Sequence, residues 1–269
     1  MTLIDTHCHL QASVFAPDRE AVFARARVAG VHGFLCCGTE PQDWEDVAQL
    51  SRDQPGVVPA YGVHPWYIPN NPESALQALE QRLATEPQAW VGEIGLDRTF
   101  GPPLAQQEAV FEPQLAVAQR FRRPVSLHCR RTWDRLLLYL KRWPAPAVLH
   151  SFSGSEAVAR QLLDRGDCWF SFSGALTRSR NTRLPALLKY LPRSHVLIET
   201  DAPDLTPWQV WREAPGARNE PAYLLHTANQ VAEVWDLSLE ETAQQLTANA
   251  QALGWAGQED QKQAKDSYG

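Results

Sequence analysis

Eight apolar segments of strand length, separated by amphipathic stretches of helix length, run through nearly the whole chain, and no other feature restricts the fold as tightly. The apolar segments are LIDTHCH (3–9), GFLCCGT (33–39), VVPAYGVH (57–64), AWVGEIGL (89–96), PVSLHC (124–129), AVLHSF (147–152), CWFSFSG (168–174) and VLIETD (196–201). Helical candidates fall near 18–29, 43–53, 73–85, 104–121, 132–141, 155–165, 183–190 and 220–235. Regular alternation of this kind is the pattern of repeated βα units around a parallel sheet. Eight units predict an α/β fold, a closed (β/α)8 TIM barrel, and 269 residues suit one such domain. A further helix, SLEETAQQLTANAQAL (238–253), opens with Ser238 three residues before Glu241, a capping box, and is expected to pack on the barrel's outside. We expect one domain over 1–255 and a polar, flexible tail over 256–269.

In such a barrel the C-terminal ends of the strands meet at one mouth, where active sites lie. Here strand starts are apolar while strand ends carry His7 and His9, His64, Glu93, His128, His150, and Glu199 with Asp201. Residues i and i+2 of a strand share a face, so His7 and His9 present two imidazoles together, with Asp5 on the same side and Cys8 on the other. A single histidine at a strand end is ordinarily a satisfied polar residue. Convergence of several at one mouth is the signature of a metal site. Imidazoles favour borderline ions such as zinc, manganese or nickel over calcium, which prefers oxygen cages. The donors outnumber those one catalytic zinc takes, so two cations sharing a bridge are expected, and the two oxygens of Glu93 suit that role. A carboxylated lysine bridge is excluded, because no lysine occurs before Lys141.

Composition narrows the class further. A formal charge of −6 argues against coating of nucleic acid through bulk electrostatics, although arginine clusters at 120–124, 129–131 and 177–183 provide local basic patches. Five cysteines, an odd number, do not form an evident disulfide framework, and no basic leader or long uncharged apolar segment is visible. A cytoplasmic protein without membrane association or an obligate protein partner is expected. The Pro-rich stretches 64–72 and 202–221 are long for βα connections, as loops at a barrel's functional end often are.

The motifs IDTHCHL, GVHP, GEIGLD, LHCRR, HSFSGS, ETDAPDL and RNEP, spread in order over residues 4–221, resemble those of the TatD-type metal-dependent deoxyribonucleases of the amidohydrolase superfamily. The resemblance implies a binuclear site with His7, His9, Glu93, His128, His150 and Asp201 as ligands to two divalent cations (zinc, manganese, nickel or magnesium), and hydrolysis of DNA phosphodiesters. Two departures bear on substrate: Arg98 follows GLD where an aromatic residue is common, and Asp204 stands where many relatives have tyrosine. The latter looks more like the uncharacterised TatD-like hydrolase subgroup.

The expected mechanism is two-metal hydrolysis of DNA or another phosphodiester, in which Asp201 is ligand and proton acceptor and Glu93 the shared catalytic ligand. His64 is a candidate for phosphate binding. Arg130 and Arg131, directly after His128, are candidates for the same task through guanidinium–phosphate pairing. The alternative is an amidohydrolase or esterase acting on a small carbonyl substrate, against which the arginine clusters speak weakly. A non-catalytic scaffold or tRNA-binding module is disfavoured, since structural zinc sites are closed by four ligands.

Overall fold

The computed structural model describes residues 1–254. Its eight strands are β1 Leu3–Cys8, β2 Val31–Cys37, β3 Val57–Tyr61, β4 Trp90–Asp97, β5 Val125–Arg130, β6 Ala147–Leu149, β7 Cys168–Phe172 and β8 Val196–Ile198. They form one parallel sheet in the order β1 to β8. The seam between β8 and β1 is closed just past the strand ends. There Asp201 N–H donates to the His7 carbonyl at 2.9 Å and His9 N–H to the Ala202 carbonyl at 2.8 Å. Among the described residues ten α-helices accompany the strands: α1 Arg19–Val28, α2 Trp44–Asp53, α3 Pro72–Thr85, α4 Leu104–Phe121, α5 Trp133–Arg142, α6 Glu156–Arg165, α7 Arg183–Tyr190, α8 Trp208–Glu213, α9 Leu224–Trp235 and α10 Leu239–Ala252. The expected (β/α)8 barrel is what the chain forms. The tail expected over 256–269 lies outside the described residues.

Period-two alternation along each strand divides the core. On β2, Phe34 and Cys36 face the layer between sheet and helices, whereas Leu35 and Cys37 join Ile4, Val58, Ala60, Trp90, Val148 and Leu197 in the cluster that fills the barrel. The capping box of α10 is present in both halves, Ser238 Oγ accepting from Glu241 N–H and Ser238 N–H donating to Glu241 Oε2. This helix does not extend the outer ring. Ala250 and Leu253 reach the interior cluster, and Asn249 Nδ2 donates to the Arg193 and Val196 carbonyls, so α10 closes the barrel at the end where the strands begin.

Several strands end earlier than their apolar runs. β8 stops at Ile198, not 201, and β6 at Leu149, not 152. Their last residues hydrogen-bond to side chains and loops in place of a neighbouring strand: Thr200 N–H goes to Asp5 Oδ1 at 2.9 Å and Ser151 N–H to Glu199 Oε1 at 2.7 Å. Within the long segment after β8, expected as loop only, WQVWRE forms the short helix α8. It starts after Pro207, whose fixed φ suits a helix entry. Among the described residues no helix is long and apolar enough to cross a membrane.

Candidate metal centre

The strand ends bring the expected ligands together because βα units put every C-terminal end at one mouth. β1 departs from regular pairing between Asp5 and Cys8, yet His7 and His9 still converge, with their Nε2 atoms 3.3 Å apart. Asp201 adopts a left-handed φ of 57°, a conformation that aspartate tolerates better than most residues, and this turns its carboxylate back toward β1. Asp201 Oδ1 lies 3.7 Å from His7 Nε2 and 3.5 Å from His9 Nε2.

Glu93, on β4, divides its oxygens between two sets of nitrogens. Oε2 faces His7 Nε2 at 3.3 Å and His9 Nε2 at 3.4 Å. Oε1 faces His128 Nδ1 at 3.0 Å, His150 Nε2 at 3.0 Å and His64 Nε2 at 3.4 Å. Two donor clusters therefore share one carboxylate. Asp5 stays out of both: its carboxylate accepts from Thr200 N–H and Oγ1–H, and burial, opposed by those bonds, pushes its pKa up to about 7. Cys8 is excluded too, buried in the outer core with its thiol against the Leu35 carbonyl.

The far nitrogen of each imidazole decides what the near one can do. His9 Nδ1 meets the Cys37 carbonyl at 2.7 Å, an acceptor only, so the proton sits there and Nε2 keeps a free lone pair. His128 Nε2 meets Asp97 Oδ2 at 3.1 Å and His150 Nδ1 meets Glu199 Oε1 at 3.3 Å, which leaves Nδ1 of His128 and Nε2 of His150 as lone-pair donors toward Glu93 Oε1. His7 Nδ1 has the Ser126 hydroxyl at 2.9 Å, compatible with the same arrangement. His64 differs. Its Nδ1 accepts from Trp66 N–H at 3.2 Å, so a neutral His64 carries its proton on Nε2 and points a donor, not a lone pair, into the site.

Electrostatics agree with this geometry. Burial favours a neutral Glu93, but its electrostatic interaction with the surrounding imidazoles of His64, His150 and His7 outweighs it and holds its pKa well below the usual carboxylate range. Burial likewise disfavours protonated His9 and His150, yet carboxylates push both well above ordinary histidine: Asp201 and Glu93 act on His9, and Glu93 and Glu199 on His150. His7 and His64 are pulled down, chiefly by burial. Buried carboxylates thus demand positive charge among imidazoles that have lone pairs to offer, and divalent cations supply that charge without protons. The donor set fits divalent cations.

A cavity of about 780 Å³ opens over these groups, lined among others by His9, His64, Glu93, His128, His150, Asp201 and Asp204. Arg130 and Arg131 are not among its lining residues. Arg130 is exposed with its guanidinium 5.2 Å from the Phe100 ring centre, and Arg131 is exposed at a left-handed φ of 57°. Sequence reasoning did not assign the orienting partners Asp97, Glu199 and Ser126. Asp97 and Glu199 stand inside the GEIGLD and ETDAP motifs, so a search for second carboxylates beside the ligands would have found them. Ser126 carries no such signal.

Comparison with known proteins gives the family. Residues 4–253 match the family described as TatD related DNase. The 3'-5' ssDNA/RNA exonuclease TatD of Klebsiella pneumoniae is 38% identical over 237 residues, covering 86% of this chain and 89% of the relative. The uncharacterized metal-dependent hydrolase YjjV of Escherichia coli K12 is 34% identical over 256 residues, covering 93% and 96%. The crystal structure of YjjV superposes with a TM-score of 0.86 at 33% identity, over 93% of this chain and 97% of that one. A mutant organophosphorus hydrolase from Deinococcus radiodurans, at 15% identity and a TM-score of 0.62, shares the fold. With the matching family spanning almost the whole chain and the motif residues gathered at one mouth, this protein belongs to the TatD family of metal-dependent hydrolases.

Proposed function

We propose that the chain is a binuclear metal-dependent phosphodiesterase that shortens single-stranded DNA or RNA from the 3' end. The observation that carries this reading is the division of Glu93, with Oε2 toward His7 and His9 and Oε1 toward His128 and His150. In this reading His7, His9 and Asp201 would hold one cation and His128 and His150 the other, with Glu93 facing both sets. The cations, when bound, would lower the pKa of the attacking water and neutralise charge developing on the phosphate oxygens. Asp201 would accept a proton from the attacking water through its carboxylate. His64, through Nε2–H, donates a hydrogen bond to a non-bridging phosphate oxygen. Asp97 and Glu199 keep His128 and His150 in the required tautomers. Arg130 and Arg131, outside the cavity, meet phosphates of the strand further along. The strand direction and substrate class rest on the named activity of the exonuclease relatives.

Metal-reconstituted protein should be tested side by side on single-stranded DNA, duplex DNA, RNA, a simple aryl phosphodiester and a set of amides and esters. Stepwise 3' shortening of single strands, lost with chelator and restored by added metal, is the expected result. Carbonyl hydrolysis without phosphodiester cleavage, at full metal content, would overturn the reading.

A further inference from the structure

The catalytic cavity is poorly equipped to hold a polyanion. Besides Glu93 and Asp201 it is lined by Glu40, Asp43, Asp46 and Asp204, and its lining arginine, Arg19, spends its guanidinium on the Leu10, Gln11 and Ala12 carbonyls. Phosphates away from the cations would meet carboxylates there. A second cavity of about 740 Å³, lined by Arg178, Ser179, Arg180, Thr206, Trp208 and Trp211, has the opposite character. Arg178 and Arg180 belong to the arginine cluster at 177–183, are exposed, and have no ion-pair or hydrogen-bond partner for their guanidinium groups among the described residues. Trp208 and Trp211 stack on each other with ring centres 5.2 Å apart at 19°, and Trp211 remains 44% exposed.

The cleft is held in one shape by contacts between the loops that form it. Trp208 N–H donates to Thr177 Oγ1 at 2.7 Å, Thr206 Oγ1 to the Ala217 carbonyl at 2.9 Å, and Asn219 Nδ2 to the Asp204 carbonyl at 2.6 Å. Gly174 permits the approach, since a Cβ there would run into the Leu205 carbonyl oxygen. The two cavities share a loop. Asp204 lines the first and Thr206 the second, so the Cα atoms of these two lining residues lie at most about 7 Å apart.

We propose that this cleft is a strand-binding subsite, in which Trp208 and Trp211 stack nucleobases and Arg178 and Arg180 hold the phosphates of nucleotides next to the scissile bond. A surface of aromatic faces beside cationic groups binds single-stranded nucleic acid with little regard to sequence, because every base has a π-face. The proposal rests on the nuclease reading above and deepens it. It assigns processing of a strand, as opposed to a small phosphodiester, to residues outside the candidate ligand set.

The test is equilibrium binding of oligothymidylate to the full chain in chelator, read by tryptophan fluorescence and by anisotropy of a labelled strand, so that binding is scored without turnover. Trp208→Ala with Trp211→Ala should weaken binding about 5- to 150-fold, the usual range for losing a stacked base. Trp208→Phe should restore much of the loss if stacking, and not packing, is responsible. Arg178→Ala and Arg180→Ala should each flatten the dependence of log K on log salt by about 0.7. Turnover of an aryl phosphodiester by the reconstituted tryptophan variants should match the parent, which excludes a collapsed fold. Unaltered binding in the variants, or no binding by the parent, would overturn the subsite. A parent that binds the strand through this cleft but hydrolyses no phosphodiester would instead sink the nuclease reading and leave the subsite standing.

Discussion

Replacing Asp201 by Asn separates holding a cation from doing chemistry. The left-handed φ of 57° at this position is one that asparagine adopts as readily as aspartate, so the backbone need not move. Asn also keeps an oxygen where Oδ1 now lies, 3.7 Å and 3.5 Å from the Nε2 atoms of His7 and His9. What disappears is one negative charge and the capacity to accept a proton. Loss of a general base typically costs about 10²–10⁴ in rate, or roughly 2.7–5.4 kcal/mol of transition-state stabilisation. Loss of charge weakens cation binding, an effect that excess metal can offset, whereas missing basicity cannot be restored in that way. Turnover and bound metal should therefore be measured on the same purified sample across a metal titration. At full metal content, kcat should remain about 10²–10⁴ below the parent with KM little changed. Near-native turnover with two metals retained would refute the base assignment, and recovery of kcat with added metal would reduce Asp201 to a ligand.

Joint replacement of His7 and His9 by Ala should lower metal content toward one per chain while the barrel stays folded; mass-spectrometric metal analysis beside circular dichroism decides it, and an unchanged content of two with activity intact would refute the ligand assignment. Asp97→Asn removes the carboxylate that fixes the His128 tautomer and should weaken metal affinity about 10- to 100-fold, read by competition with a chromophoric chelator. Arg130→Ala and Arg131→Ala should differ, since adjacent side chains point different ways; one of them should raise KM for a phosphodiester strand and reduce the salt sensitivity of binding, and equal, unaltered behaviour of both would remove the pair from phosphate recognition. Asp18 pairs with Arg218 and Arg25, which lower its pKa to about 2. A carboxylate depressed in the folded state stabilises above its unfolded pKa and loses that contribution as pH falls through the folded value. The melting-temperature gap between parent and Asp18→Asn should accordingly be open at pH 5 and narrow toward pH 2. A gap that does not change with pH would mean the pairing is not what the substitution removes.

Sequence alone determined the repeat, the fold class and the candidate ligand types. Period-two apolar runs separated by helical periodicity specify a parallel barrel, and a barrel places every strand's C-terminal end at one mouth, so His7, Glu93, His128 and Asp201 were legible as neighbours before any coordinate. The i, i+2 spacing of His7 and His9 likewise needs only the geometry of a strand. Tertiary structure decided what depends on contacts between distant segments. Strand ends depend on where backbone groups find partners, and Asp5, almost 200 positions before Thr200, captures its N–H and ends β8 early. The tautomers of His9, His128, His150 and His64 are set by whether the far nitrogen meets a carbonyl, a carboxylate or an N–H, which separates His64 from the other three although all look alike in sequence. Arg130 and Arg131 follow the candidate ligand His128 directly yet are not among the residues lining the cavity, while Arg178 and Arg180, nearly fifty residues later, line a cleft with Trp208 and Trp211. Chain proximity constrains where a Cα can be, but packing of the loops on one another settles which side chains share a space.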